Sequence, residues 1–201
     1  MRGAYPLWLL IACAILLAIS AWRPYDSATW MMEVAPIFIA APILIATYRR
    51  FRLTDLAYTL IFVHACILML GGHYTYARVP FGFWLQDVLH FSRNPYDRIG
   101  HLAQGFVPAI VGREILIRCT PLRPGGWLFF LVCCVCLAIS ACYEFVEWGA
   151  ALLGGSAAAD FLGTQGDVWD TQWDMFMALT GALAAQLLLA RAHDRQLARA
   201  L

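Results

Sequence analysis

The sequence predicts an all-α, polytopic membrane protein with about six transmembrane helices, on three observations. Of its 201 residues, 62% are hydrophobic and only 13% are charged, whereas soluble domains carry roughly a quarter charged residues. Mean hydropathy is +0.67. The apolar residues form runs that are long enough, or nearly so, to cross a hydrocarbon core about 30 Å thick. Six such runs cover approximately residues 6–22, 31–48, 54–72, 99–118, 126–150 and 172–191.

Three stretches outside or at the start of these runs need their own interpretation. The first run follows Arg2 and ends near the small residues Ala18 and Ser20, so a cleaved signal peptide is the alternative to the retained helix that we expect. Residues 81–91 are apolar and contain Trp84, which predicts an interfacial or re-entrant helix before the fourth span. Residues 154–170 are expected to form a tight cap over the bundle. The whole chain, 1–201, is expected to be a single integral membrane domain.

The arginines predict that both termini lie in the cytoplasm. All fourteen basic side chains are arginine, and the positive-inside rule places most of them on the cytoplasmic side. With both termini inside, the inner side holds Arg2, Arg49, Arg50, Arg52, Arg118, Arg123, Arg191, Arg195 and Arg199, whereas Arg23, Arg78, Arg93 and Arg98 lie outside. Arg113 lies within the fourth run, near its inner end. The composition also excludes two classes of function. The sequence has no lysine, which excludes Schiff-base chemistry on that residue. Its net charge of +1 gives no reason to expect nucleic acid as a partner.

The seven cysteines do not indicate a disulfide framework. They lie within apolar runs or at their edges, where free cysteine behaves as a small buried hydrophobe. Cys133, Cys134 and Cys136 are close enough in sequence to suggest a metal cluster. Neighbouring positions on a helix point apart, however, so we interpret them as packing residues.

The last apolar run begins with an unusual acidic face. Asp167, Asp170 and Asp174 are spaced i, i+3 and i+7, which puts them on one side of a helix. Such a face suits a helix that packs closely on its neighbours and presents carboxylates to a shared site. Asp170 also suits the simpler role of an N-cap. The same face continues through the small residues Ala178, Gly181 and Ala185.

Two other helices carry polar faces at the same predicted end. Asp97 and His101 are one turn apart, so the carboxylate can orient the imidazole and raise its basicity; an N-cap and an interfacial histidine are the alternative. Glu144 and Glu147 are also one turn apart. A charged carboxylate within the bilayer costs roughly 2.5–3.5 kcal/mol, so the pair needs a cation, a proton or water. A salt bridge to Arg93 or Arg98 is the alternative.

We expect these three faces to meet at the outer end of the bundle. A histidine among carboxylates suits a divalent cation such as Mg²⁺, Mn²⁺ or Zn²⁺, and it equally suits a metal-free acid/base pair. The candidate catalytic residues are Asp97, His101, Glu144 and Asp174. The candidate metal ligands are His101, Glu147, Asp167, Asp170 and Asp174.

These motifs resemble those of the YjdF-like family of bacterial inner-membrane proteins, whose function is unknown. The resemblance covers roughly residues 55–190, and it implies a multi-pass protein of the bacterial inner membrane without implying an activity. The motifs that carry it are Asp97-Arg-Ile-Gly-His101, Arg113-Glu114-Ile-Leu, Tyr143-Glu-Phe-Val-Glu147-Trp and Phe161-Leu-Gly-Thr-Gln-Gly-Asp-Val-Trp-Asp-Thr-Gln-Trp-Asp-Met175.

A fainter likeness is to VanZ-like proteins, which are linked to glycopeptide resistance. Asp97, Arg98 and His101 match the first part of that pattern, with arginine in place of lysine. Glu144 or Glu147 matches the second part. Asp174 and Gly181 match the third, with Ala178 in place of asparagine.

Two classes of function therefore stay open. The first is a membrane-embedded, metal-dependent enzyme that acts on an amphiphilic envelope substrate, such as a lipid phosphate or a lipid-linked sugar. The second is a non-enzymatic transporter, or an envelope stress or resistance factor, with a cation or proton site. Both classes have the lipid bilayer as a partner, and the sequence leaves the substrate and the oligomeric state open.

Overall fold

The secondary structure is helical, as predicted. The computed structural model of the chain describes residues 4–154 and 163–200. Each of the six predicted apolar runs corresponds to one helix, although several helices extend beyond their runs, the last one to Ala200. The helices are α1 (Tyr5–Ser20), α2 (Ser27–Thr47), α3 (Asp55–Tyr74), α4 (Pro80–Leu89), α5 (Tyr96–Cys119), α6 (Gly126–Gly154) and α7 (Asp170–Ala200), and the 3-10 turn Tyr76–Arg78 lies between α3 and α4.

Side-chain caps fix where two of the helices begin. Asp26 precedes α2, and its Oδ1 accepts a hydrogen bond from the Thr29 N–H at 2.7 Å. This hydrogen bond lowers the pKa of Asp26. Thr54 precedes α3 in the same way, and its Oγ1 accepts from the Ala57 N–H at 3.3 Å. Both caps satisfy backbone donors that a helix start otherwise leaves free.

Within residues 4–154 and 163–200, four helices are long and apolar enough to cross a membrane by length and composition, namely α2, α3, α6 and α7. The other two predicted spans differ for separate reasons. Helix α1 has 16 residues, or about 24 Å at ~1.5 Å per residue. Helix α5 has 24 residues but carries charged side chains at both ends. The fold is thus consistent with a polytopic membrane protein, and the count of six spans stays a prediction.

Helix α5 packs against α3, α6 and α7, which explains how it tolerates its charged residues. Buried side chains follow α5 along its length, from Asp97 and His101 near its start to Glu114 near its end. The largest apolar core gathers around Ile110 of α5. The charged groups of α5 therefore face neighbouring helices instead of lipid.

Helices α5 and α7 approach each other backbone to backbone. A Cβ atom at Gly105 would overlap the carbonyl oxygen of Ala178, and one at Gly181 would overlap the carbonyl oxygen of Leu102. Ala178 and Ala185 are fully buried. The small residues predicted to line one face of the last helix are therefore its packing surface, because only small side chains allow this approach.

A short helix does occupy the predicted interfacial position. Helix α4 carries the exposed apolar side chains Phe81, Phe83, Trp84 and Val88. Its depth relative to a bilayer stays a prediction. Most of the predicted cap over the bundle, residues 155–162, lies outside the described residues.

Candidate functional site

The structure brings together five of the predicted site residues, which we call the His101 cluster. It consists of Asp97 and His101 on α5, Glu144 and Glu147 on α6, and Asp174 on α7. All five are buried. One-turn spacing places each pair on one helix face, and the packing of α5, α6 and α7 turns the three faces toward each other.

The imidazole of His101 is the centre of the cluster. Its Nε2 lies 3.6 Å from Oδ1 of Asp97 and 3.8 Å from Oδ2 of Asp174, distances too long for hydrogen bonds. On the other side of the ring, Nδ1 lies 3.0 Å from Oε1 of Gln104 and 3.9 Å from Oε1 of Glu144. With Gln104 as acceptor, the ring proton is on Nδ1, and the lone pair of Nε2 faces two carboxylates.

The carboxylates of the cluster contain buried oxygens without hydrogen-bond partners among the described residues. These oxygens are Oδ2 of Asp97, Oε1 of Glu144 and Oδ1 of Asp174. The exposed fraction of these side chains is 9%, 6% and 2%, respectively. Because a buried carboxylate oxygen without hydrogen bonds is strongly destabilising, this arrangement calls for a compensating cation or proton.

Two subsets of the cluster have the spacing of metal ligands, and they share His101. One donor atom from each of Asp97, His101 and Asp174 lies within 4.8 Å of the others, and the same holds for His101, Glu144 and Glu147. Ligands bound tetrahedrally at ~2.1 Å are about 3.4 Å apart, close to the distances from Nε2 to Asp97 and Asp174. Because Nδ1 already has Gln104 as a partner, the first subset is the better candidate.

The remaining two metal candidates, Asp167 and Asp170, are paired with arginines. Arg98 Nη2 lies 2.9 Å from Oδ2 of Asp167. Arg93 Nη2 forms a buried ion pair with Oδ1 of Asp170 and lies 3.9 Å from Oδ2 of Asp97. Arg93 Nη1 donates to the carbonyl oxygen of Thr164. Arg93 and Arg98 thus pair with Asp170 and Asp167. The sequence had offered a salt bridge from one of these arginines to Glu144 or Glu147 as an alternative.

The ion pair of Asp170 changes the expected cost of losing this side chain. Asp170→Asn leaves the buried guanidinium of Arg93 without its nearest counter-ion, so the free energy of unfolding should fall by about 3 kcal/mol. A simple N-cap would cost only about 1 kcal/mol. The free energy of unfolding of the purified wild type and of Asp170→Asn, measured in detergent, distinguishes these two costs. Asp87→Asn, at an exposed carboxylate of α4, is the control, and an equal effect in both variants would contradict the structural role of the pair.

Sequence reasoning missed Glu33 of α2, which lies next to the cluster. Glu33 is buried, and the phenol groups of Tyr76 and Tyr143 lie against its carboxyl group. Burial raises the pKa of Tyr76 well above its usual value, so this hydroxyl stays protonated. The ring of Tyr143 packs edge-on against His101, with centroids 6.2 Å apart. A lone acidic residue in an otherwise apolar helix was the available signal.

A second group of buried polar side chains lies around Glu114, at the opposite end of α5 and α7. Unlike the carboxylates of the His101 cluster, Glu114 is fully hydrogen-bonded. Both oxygens of Glu114 accept several hydrogen bonds, from Thr54, from Arg118 at 2.8 Å and from His193 at 3.1 Å. Arg113 donates to Nδ1 of His193 at 3.0 Å, which fixes the His193 proton on Nε2. Arg118 lies one turn after Glu114 on α5, so helical spacing accounts for this pair. This Glu114 network is satisfied within the protein and serves the fold.

These features define a helical membrane protein with ionisable side chains buried between its helices. The chain belongs to the family described as "Predicted membrane protein (DUF2238)", whose model matches residues 5–195. It is similar to the inner membrane protein YjdF of Escherichia coli (strain K12), with 57% identity over 189 residues that cover 94% of this chain and 90% of that relative. The predicted YjdF-like resemblance is confirmed, and the VanZ-like one stays a prediction. No solved structure matches the chain.

Proposed function

We propose that the His101 cluster binds a divalent cation and is the active site of a membrane-embedded enzyme. This proposal rests on the buried carboxylate oxygens around the lone pair of His101 Nε2, which have no hydrogen-bond partner in the described part of the chain. Asp97, His101 and Asp174 would hold the ion. Imidazole with carboxylates favours Zn²⁺ or Mn²⁺ over Mg²⁺. Such an ion polarises a phosphoryl or carbonyl oxygen and acidifies bound water.

The protein side chains around the ion have separable roles in this proposal. Gln104 holds the imidazole by its Nδ1–H, so that Nε2 stays directed at the ion. Glu144 lies on the far side of the ring, and its Oε1 accepts no hydrogen bond from the residues that the structure describes, which suits a proton acceptor. Glu147 completes the alternative ligand set with Glu144. The substrate class is a lipid-linked or other amphiphilic envelope compound.

We propose that the protein crosses the bacterial inner membrane six times, with both termini in the cytoplasm. Helix α5 is long enough to cross and is shielded from lipid by α3, α6 and α7, and the relative YjdF is an inner membrane protein. This topology puts the His101 cluster at the periplasmic face and α4 at or within the interface. A reporter fused after residue 201 should be active only in the cytoplasm, and periplasmic activity there would contradict the topology.

A carrier or an accessory protein with a cation or proton site is the second candidate. It is supported by the same buried carboxylate oxygens, which lack hydrogen bonds among the described residues. However, Gly105 and Gly181 bring α5 and α7 into backbone contact, and the Glu114 network closes the far end of the same helices. Since an ion crossing the bundle would have to separate these helices, a fixed site is favoured. Proteoliposomes that accumulate Zn²⁺ or Mn²⁺ would favour the carrier instead.

Cation binding is tested by melting the purified protein after chelation. Adding Zn²⁺ or Mn²⁺ at about 100 times Kd should raise the free energy of unfolding by about 2.7 kcal/mol, with a matching rise in Tm. Glu147→Gln tests the alternative ligand set, and a full response in this variant assigns binding to Asp97, His101 and Asp174. The control is Asp87→Asn, which should respond like the wild type. A wild-type Tm that no divalent cation changes would contradict the proposal.

A further inference from the structure

A groove beside the His101 cluster is apolar on most of its wall. It has a volume of about 370 Å³ and lies between α4, α5 and α7, where Leu85, Leu89, Ile99 and Met177 line it. Leu89, at 53% exposure, lies at the surface. A groove of this size that is apolar and open at the side suits an acyl chain better than a small polar solute.

Two guanidinium groups complete the wall of this groove, and each has a free donor. Arg93 and Arg98 both line it. The Nε atoms of both are buried and have no hydrogen-bond acceptor within residues 4–154 and 163–200. The side chain of Arg93 is only 9% exposed. Both N–H groups belong to side chains of the groove wall. A ligand with acceptor oxygens would satisfy them, because an unsatisfied buried donor is destabilising.

The pairing of these arginines decides what kind of ligand fits. Each already has an aspartate partner, Asp170 for Arg93 and Asp167 for Arg98, so the groove does not attract anions by net charge alone. Selectivity would come from the two free donors, whose planar geometry suits phosphate oxygens. In a bilayer, phosphate oxygens occur at headgroup depth, joined to the chains that the apolar wall would hold.

We propose that this groove binds a lipid with a phosphate headgroup. The phosphate accepts hydrogen bonds from Nε of Arg93 and Arg98, and one acyl chain lies along Leu85, Leu89 and Ile99. Nη2 of Arg93 also lies 3.9 Å from Oδ2 of Asp97 in the His101 cluster, so Arg93 would contact both the headgroup and the cluster. Lipid binding in the groove is independent of the proposed function. The further step, that this lipid is the substrate, rests on the proposed function.

Native mass spectrometry of the protein in non-ionic detergent tests lipid binding with three probes. Dioctanoyl phosphatidic acid has both the phosphate and the chains, dioctanoylglycerol has only the chains, and inorganic phosphate has only the anion. Phosphatidic acid should bind at least about tenfold more tightly than either of the others, as expected for one or more charge-assisted hydrogen bonds. Equal binding of phosphatidic acid and dioctanoylglycerol would overturn the proposal, as would equal binding of phosphatidic acid and inorganic phosphate.

Two tryptophan substitutions on α4 form a matched pair for the same assay. Leu85→Trp fills the groove and should weaken phosphatidic acid binding about tenfold or more. Val88→Trp lies on the same helix at an exposed position outside the groove wall and should bind as the wild type does. Arg98→Gln removes one free donor and should weaken phosphatidic acid binding without affecting dioctanoylglycerol. Equal losses in both tryptophan variants would contradict the assignment of the groove.

The metal content of these same samples separates the two proposals. Leu85→Trp leaves every residue of the His101 cluster in place, so it should retain its cation while losing lipid. A protein that holds a cation but shows no preference for phosphatidic acid would contradict the groove alone. A protein that holds no cation but binds phosphatidic acid in the expected pattern would contradict only the metal site.

Discussion

Replacing Gly105 by alanine is expected to prevent most of the protein from folding, although it adds only one methyl group. The new Cβ would overlap the carbonyl oxygen of Ala178, and this oxygen belongs to a helix backbone that cannot rotate away as a side chain can. Helices α5 and α7 would have to separate, at a cost of about 3 kcal/mol or more. The yield of monodisperse protein in detergent and its Tm measure the effect.

Gly112→Ala is the matched control for this prediction. It makes the same substitution in the same helix, but the nearest atom to the new Cβ is Cγ1 of Val135 at 4.0 Å, an ordinary contact. Alanine also has a higher helix propensity than glycine, by about 1 kcal/mol. Gly112→Ala should therefore fold at least as well as the wild type. Similar yields of Gly105→Ala and Gly112→Ala would show that α5 and α7 are not in backbone contact.

Asp174→Asn is expected to keep the fold and to abolish cation binding. Asp174 is buried, and its Oδ1 has no hydrogen-bond partner in the part of the chain that the structure describes. Removing its charge takes away an uncompensated carboxylate, so Tm without metal should stay unchanged or rise. A neutral amide is a much poorer ligand, and cation affinity should fall by about 100-fold, the upper range for loss of a supporting group. Calorimetric titration with Zn²⁺ or Mn²⁺ measures this change.

The thermal stability of Asp174→Asn separates this prediction from a structural role. Asp170→Asn is the comparison, because Asp170 has an ion-pair partner in Arg93 whereas Oδ1 of Asp174 accepts no hydrogen bond from the described residues. Asp170→Asn should destabilise the protein, whereas Asp174→Asn should not. If Asp174→Asn failed to fold, its carboxylate would be a structural partner of His101. If it bound cations as tightly as the wild type, it would not be a ligand.

Helical spacing predicted the composition of the His101 cluster because each polar pair lies on one helix face. Asp97 with His101 and Glu144 with Glu147 each required only the assumption of a continuous helix. Asp174 stood out because it continues into the small-residue face of α7. That face proved to be the surface in contact with α5, so the acidic end of the face had to point toward the start of α5.

The contacts that the sequence did not predict join residues that are far apart in the chain. Arg93 precedes α5 and Asp170 begins α7, and periodicity within one helix carries no information on such a pair. His193 was missed for the same reason, since its partners Glu114 and Arg113 lie on α5. Gln104 lies one turn from His101 on α5, yet its hydrogen bond with Nδ1 of His101 depends on side-chain conformation, which the sequence pattern does not specify.

The metal content of the purified protein is the most direct test of the His101 cluster as a cation site. Wild-type protein, Asp174→Asn and Asp87→Asn should be purified in parallel, exposed to Zn²⁺ or Mn²⁺, freed of excess metal and measured by elemental analysis. The wild type and Asp87→Asn should each hold about one ion per chain, as expected for a single site, and Asp174→Asn should hold almost none. An equal metal content in all three proteins, or no metal in the wild type, would contradict the site.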